Sequence, residues 1–245
     1  MRATIPLLAL AAMLPTTAQA ASLYEASVIV TGTDGRSRPD GFARALAQVL
    51  AKITGNPALA TDPRVTALAP AAPGFVRNFA YLDRMSNMPR RDEQGTRDRP
   101  YDLIVSFDPG MMDAVLAGLG EAPWRGERPL LWMRVQVRRS DAEFSLTADA
   151  DQDERQRGAL LAASERFGLP VGLPPSDRLA TPAPPGAVPV SGTLIWSDAD
   201  AGWVAEWRMV WRGREHAWGA RGVEFDAAFR DLVGGAARVL SGAGG

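Results

Sequence analysis

The chain has 245 residues, with 27 Lys and Arg against 28 Asp and Glu, one His and no Cys. Near-neutral charge gives no broad field to steer the chain toward nucleic acid. The missing Cys excludes a disulfide framework, thiol chemistry and a His/Cys metal site, and any Ser-His-Asp triad would have to use His216. Lys52 is the sole Lys among many Arg, which reads as composition bias rather than a phosphate-binding device.

Taken in order, residues 1–20 have the layout of an export signal. Arg2 supplies the positive start, Ala3 to Leu14 the apolar run, and Ala18-Gln19-Ala20 the small-x-small cleavage pattern. The run is too short for a permanent bilayer anchor. Cleavage near Ala20-Ala21 would release a periplasmic chain of about 225 residues, enough for one large domain or two ordinary ones. No later segment approaches the uninterrupted apolar length of a membrane span.

Leu23 to Thr31 reads as a strand whose Tyr24, Ala26, Val28 and Val30 begin a sheet. A helix closed by Gly55 follows. Its stripe Phe42, Ala45, Leu46, Val49, Leu50 and Ile53 lies opposite a polar face of Arg44, Gln48 and Lys52. After an Ala- and Pro-rich stretch with a short helix near Pro63 to Leu68, strands are expected at Phe75 to Leu82 and Tyr101 to Phe107. The charged insert between them, Met85 to Pro100, reads as an exposed hairpin tip. Asp108-Pro109 caps and opens a helix that ends at Gly120, and Met112, Val115, Leu116 and Leu119 form its buried face. A domain boundary is placed near Gly126, dividing the chain into an N-terminal domain, 21–126, and a C-terminal domain, 127–245.

The second half begins with a strand, Leu130 to Val137, then an acidic stretch and a helix from about Asp153 to Phe167, capped by Gly168 and stopped by Pro170. A short strand at Val171 to Leu173 and a Pro-rich excursion lead to a three-strand antiparallel meander: Val188 to Trp196, Trp203 to Trp211, and Glu215 to Ala220. A terminal helix, Phe225 to Leu240, completes the chain, with Gly234 and Gly235 as weak points unless they allow close packing. The expected fold class is α+β, two small helix-on-sheet domains, the C-terminal one with a Trp-rich antiparallel meander and a terminal helix.

Several stretches together resemble a group of exported Gram-negative proteins known as domain of unknown function 2066. They are Leu23-Tyr24-Glu25-Ala26 with the helix Ala43 to Gly55, the run Val105-Ser106-Phe107-Asp108-Pro109, and Pro123-Trp124 leading into Glu127 to Trp132. Gly168-Leu169-Pro170 is a weaker match, and Val171 to Pro175 departs from the pattern. The resemblance implies an envelope location and supplies no catalytic residues.

No Gly-rich phosphate loop is present; Gly32-Thr33-Asp34-Gly35 lacks the required spacing. The acidic run Asp149 to Glu154 opens like a calcium loop but has Glu154 where Gly is needed and Leu160 where Glu is needed. His216 reads as an ordinary strand residue. Asp102, Asp108, Asp198 and Asp200 do not stand out as an acid–base pair. No cofactor or metal is therefore expected. Trp196, Trp203, Trp207, Trp211 and Trp218 crowd the meander. Trp203, Trp207 and Trp211 share one strand face, which is either core beneath the terminal helix or a ligand platform for sugar rings or a peptide. The reading is a periplasmic, non-enzymatic binding or scaffold protein whose partner is an envelope protein. The alternative is a peptidoglycan- or glycan-binding protein, or a hydrolase, using the Trp-rich sheet.

Overall fold

The apolar stripe of the first helix finds the sheet it requires. The computed structural model describes residues 23–87 and 99–243, so the expected leader lies outside the described residues. Strand β1 (Glu25–Thr31) is followed by helix α1 (Arg38–Thr54), all six of whose stripe residues are buried. Short helical turns between Pro57 and Phe75 lead to β2 (Val76–Asp83) and β3 (Pro100–Phe107). The three strands run in the order β1-β3-β2, antiparallel throughout. Ala26, Val28 and Val30 of β1 and Leu103, Val105 and Phe107 of β3 face α1. Period-2 alternation on the strands meets period-3.6 spacing on the helix, and one apolar core results.

Helix α2 (Pro109–Leu119) begins where Asp108 accepts the Met111 N–H at 3.0 Å. It buries Met112 and Leu116; Val115 and Leu119 are only half-buried. The charged hairpin reads differently from expectation at its base. Residues 88–98 lie outside the described residues, but Arg99 is buried, bonded to the Met85 carbonyl and 3.5 Å from Asp83. A charge in a polar run is not solvated when a carboxylate and a carbonyl wait beneath it.

The second sheet holds β4 (Leu131–Arg139), β5 (Ala142–Ser145), β6 (Val171–Gly172), β7 (Val188–Ser197), β8 (Gly202–Trp211) and β9 (Arg214–Val223). Its order is β5-β4-β7-β8-β9, with β6 also beside β4. The β7-β8-β9 meander is antiparallel as expected, but β4 runs parallel to β7. Helix α3 (Glu154–Phe167) makes the crossover that a parallel pair needs. Strand β5 was not expected, because only Phe144 marks a buried parity in its four residues. Both α3 and the terminal helix α4 (Phe225–Ser241) cover one face of this sheet. Leu131, Met133, Val135 and Val137 are buried there, against Leu160, Phe167, Phe229 and Leu232. Gly234 and Gly235 are where α4 approaches most closely. A Cβ on Gly235 would collide with the Trp218 indole, and one on Gly234 would lie 3.0 Å from the Phe167 ring. The fold class is α+β, with one sheet antiparallel and the other mixed.

Candidate ligand cleft between the two sheets

Two helix ends meet at one guanidinium. Helices α1 and α3 both finish in a left-handed glycine, Gly55 at φ 71° and Gly168 at φ 61°, a conformation that glycine adopts without steric cost. Their last carbonyls carry the negative end of each helix dipole. Arg128 reaches both, donating to Lys52 O at 2.7 Å and Phe167 O at 2.8 Å, while its guanidinium lies 4.2 Å from the Trp124 ring centroid. Burial pulls Arg128 down to about 10, so it remains charged at neutral pH. The Trp124 backbone N–H donates to Ile53 O at 2.9 Å, which holds the segment after α2 against the end of α1.

Beside this junction lies a cleft of about 690 Å³, within the usual range of small-molecule sites. Its floor is the face of the first sheet that α1 does not cover. Ile29 pairs with Asp102, and Asp102 with Leu82, in one row across the three strands, with Ile104 two residues along β3. Ile29 is 51% exposed and Leu82 59%. The opposite wall is α3, through Ala159, Ala162 and Arg166, with Asp226 and Arg230 from α4. Two pairs in the lining are internally matched: Arg84–Asp102 at 3.3 Å and Arg230–Asp226 at 2.6 Å, the latter bond holding the Asp226 carboxyl below its usual range.

Lys52 lines the same cleft and corrects the sequence reading most clearly. It lies on the polar face of α1 with Arg44 and Gln48, as expected, yet it is only 4% exposed and donates to Glu25 O at 2.7 Å. Burial pulls its amine down to about 8, while the neighbouring Glu165 and Glu25 oppose the shift. With Arg44, which donates to Ile29 O at 2.9 Å, it occupies outward carbonyls of the edge strand β1. Side-chain cations of this kind blunt an open sheet edge.

The Trp residues occupy a different place. Trp207 is fully buried, stacked on Phe229 at 6.4 Å, and its indole donates to Asp231 at 3.1 Å. Burial raises the Asp231 carboxyl, and the Trp207 bond opposes this. Trp203 is buried and Trp211 half-buried on the same face. The face on which a sugar would stack is therefore occupied by α4 at Trp207, and Trp196, outside that strand, is the most open of the group.

The other residues considered as candidates have structural partners. Asp108 caps α2, Asp198 accepts the Trp196 indole N–H, and Asp200 pairs with Arg221 at 3.1 Å. Within the acidic run, Asp153 is buried, accepts the Thr147 N–H and pairs with Arg157, which shapes the entry to α3. His216 sits on β9 opposite Met209, half-buried. Among the described residues no cluster of three or more His, Cys, Asp or Glu is arranged to hold a metal ion.

Comparison with known proteins changes the family expectation. Residues 17–125 match the family described as Domain of unknown function (DUF8605). The expected likeness to domain of unknown function 2066 is not upheld. The motifs behind it, a strand running into an Asp-Pro helix start and a Gly-capped helix, are general folding signals that unrelated families share. No curated protein matches the chain. A solved structure titled "Crystal structure of uncharacterized protein" is 12% identical, covering 49% of this chain and 94% of that one, at a TM-score of 0.24. A likeness at that level carries no argument.

Proposed function

We propose that this is an exported, non-enzymatic binding or scaffold protein of the bacterial envelope, and that the cleft between its sheets is the binding surface. The observation that carries the reading is the uncovered floor. Ile29 and Leu82 stand more than half exposed on a sheet face whose other side is a complete core. Apolar residues grouped on an open concave surface characterise binding sites more than solvent-facing sheet. Export is supported by the layout of residues 1–20, and the absence of Cys suits a chain that crosses into an oxidising compartment without needing disulfides. Only one His is available for acid–base work, and it lies on β9, away from the cleft lining.

Osmotic-shock fractionation of a Gram-negative host, followed by intact-mass measurement, tests the export half. The expected product is a shock-released chain beginning at Ala21. A cytoplasmic chain retaining its leader would overturn it.

A further inference from the structure

We infer that the cleft binds an organic carboxylate, with the acid group seated on Arg166 and an apolar body lying over Ile29, Leu82 and Ile104. This deepens the binding reading above and rests on it.

The cations of the cleft are not equivalent. Arg84 and Arg230 have their own carboxylates, Asp102 and Asp226. Arg128 is spent on the ends of α1 and α3. Arg166, in the last turn of α3, makes no hydrogen bond or ion pair among the described residues, although it is half-buried and lines the cleft. Its neighbours do not relieve it: burial lowers its pKa, and the adjacent Arg230 lowers it further. Capping the helix does not explain it either, since Phe167 O and Gly168 O are already bonded by Arg128. A half-buried cation without an anion is costly, and a ligand carboxylate would supply the missing partner.

The geometry of the group narrows the ligand. A guanidinium offers two parallel N–H donors that match a planar carboxylate. Glu165 and Glu25 also line the cleft, which disfavours a highly charged phosphate and favours a single negative charge. Within the floor Asp102 is already paired with Arg84, and Ile29, Leu82 and Ile104 offer apolar surface around it, so the remainder of the ligand should be hydrocarbon.

The test is calorimetric titration of the full chain, expressed in a Gram-negative host, with decanoate, decan-1-ol and inorganic phosphate. Decanoate is expected to bind saturably, decanol at least tenfold more weakly, and phosphate at least tenfold more weakly. Arg166→Met, which keeps the stem and removes the charge, is expected to weaken decanoate about tenfold or more, the usual worth of a charge-assisted bond. Arg166→Lys is expected to restore part of that loss, and it also serves if the Met variant fails to fold. Equal binding of decanol removes the carboxylate claim. Equal binding of phosphate removes the apolar body. Undetectable decanoate binding overturns the proposal altogether. Photo-crosslinking from Leu82 separates the two readings: a defined adduct there with no decanoate binding leaves the binding function standing and only the ligand class fallen.

Discussion

Each sheet has one face covered by helices and one left open, and the two open faces differ in kind. The outward face of the second sheet carries Arg134, Arg138, Glu206 and Arg208, with Val210 exposed and Ile195 and Val204 half-buried among them. Charged side chains dominate it, as on the solvent face of a sheet packed on one side only. The outward face of the first sheet groups Ile29, Leu82 and Ile104 instead, opposite a helix wall. Both faces are free of a covering helix, so exposure alone does not distinguish them. Their chemistry does, and it is the ground on which the first face is proposed as the binding surface.

The contrast between covered and uncovered faces should appear in stability. Trp207→Ala, on the covered face, should cost roughly 3–5 kcal/mol in denaturant unfolding. Leu82→Ser, on the floor of the cleft, should stay within about 0.5 kcal/mol, as surface changes usually do. A comparable loss from both would make the floor part of the core.

Arg128 joins the regions being compared. Arg128→Met leaves carbonyls of α1 and α3 without their donor, and should cost about 2–3 kcal/mol, the scale of hydrogen bonds to a charged group. Urea unfolding followed separately in each half should lose its shared midpoint. A coincident, unshifted transition would show that the halves are held by packing alone.

Glycines on the two helices of the second sheet give an opposed pair. Gly235→Ala drives a methyl into Trp218 and should destabilise by about 1–3 kcal/mol, as overpacking does. Gly158→Ala on α3 meets nothing within 4 Å, and should raise stability by up to about 1 kcal/mol from helix propensity. Thermal melts of the two variants should move in opposite directions.

A smaller effect concerns pH. The folded-state pKa of Lys52, about 8, lies below its ordinary value of 10.5. Between these values the unfolded chain binds more protons, so this group makes stability rise with pH across that window. Below about pH 8 the cost of burying the charged amine is fully present. Lys52→Met should flatten the rise in unfolding midpoint between pH 8 and 10, and an unchanged slope would assign it to other groups.

Much of the architecture was legible because its signals are local. The α1 stripe, the Gly55, Gly120 and Gly168 caps, and the alternating β8 face each follow from spacing within a few residues. The parallel pairing of β4 with β7 was not legible, since it depends on where α3 returns the chain. Lys52 misled for a related reason: its position on α1 is polar by period, and the helix end that buries it comes from more than 100 positions later. The cleft left only a faint trace. Ile29 falls on the otherwise polar parity of β1, with Glu25, Ser27 and Thr31. Nothing in the sequence separates Arg166 from an ordinary last-turn cation; the difference arises because Arg128, distant in the chain, bonds the α3 carbonyls instead.

The most direct measurement places a photo-activatable residue at Leu82 in one strain and at Val210 in another, and irradiates intact cells. The account predicts a discrete adduct from Leu82 that decanoate suppresses, and no comparable product from Val210. Equal, diffuse labelling from both positions would contradict it, because the two open faces would then be the same kind of surface.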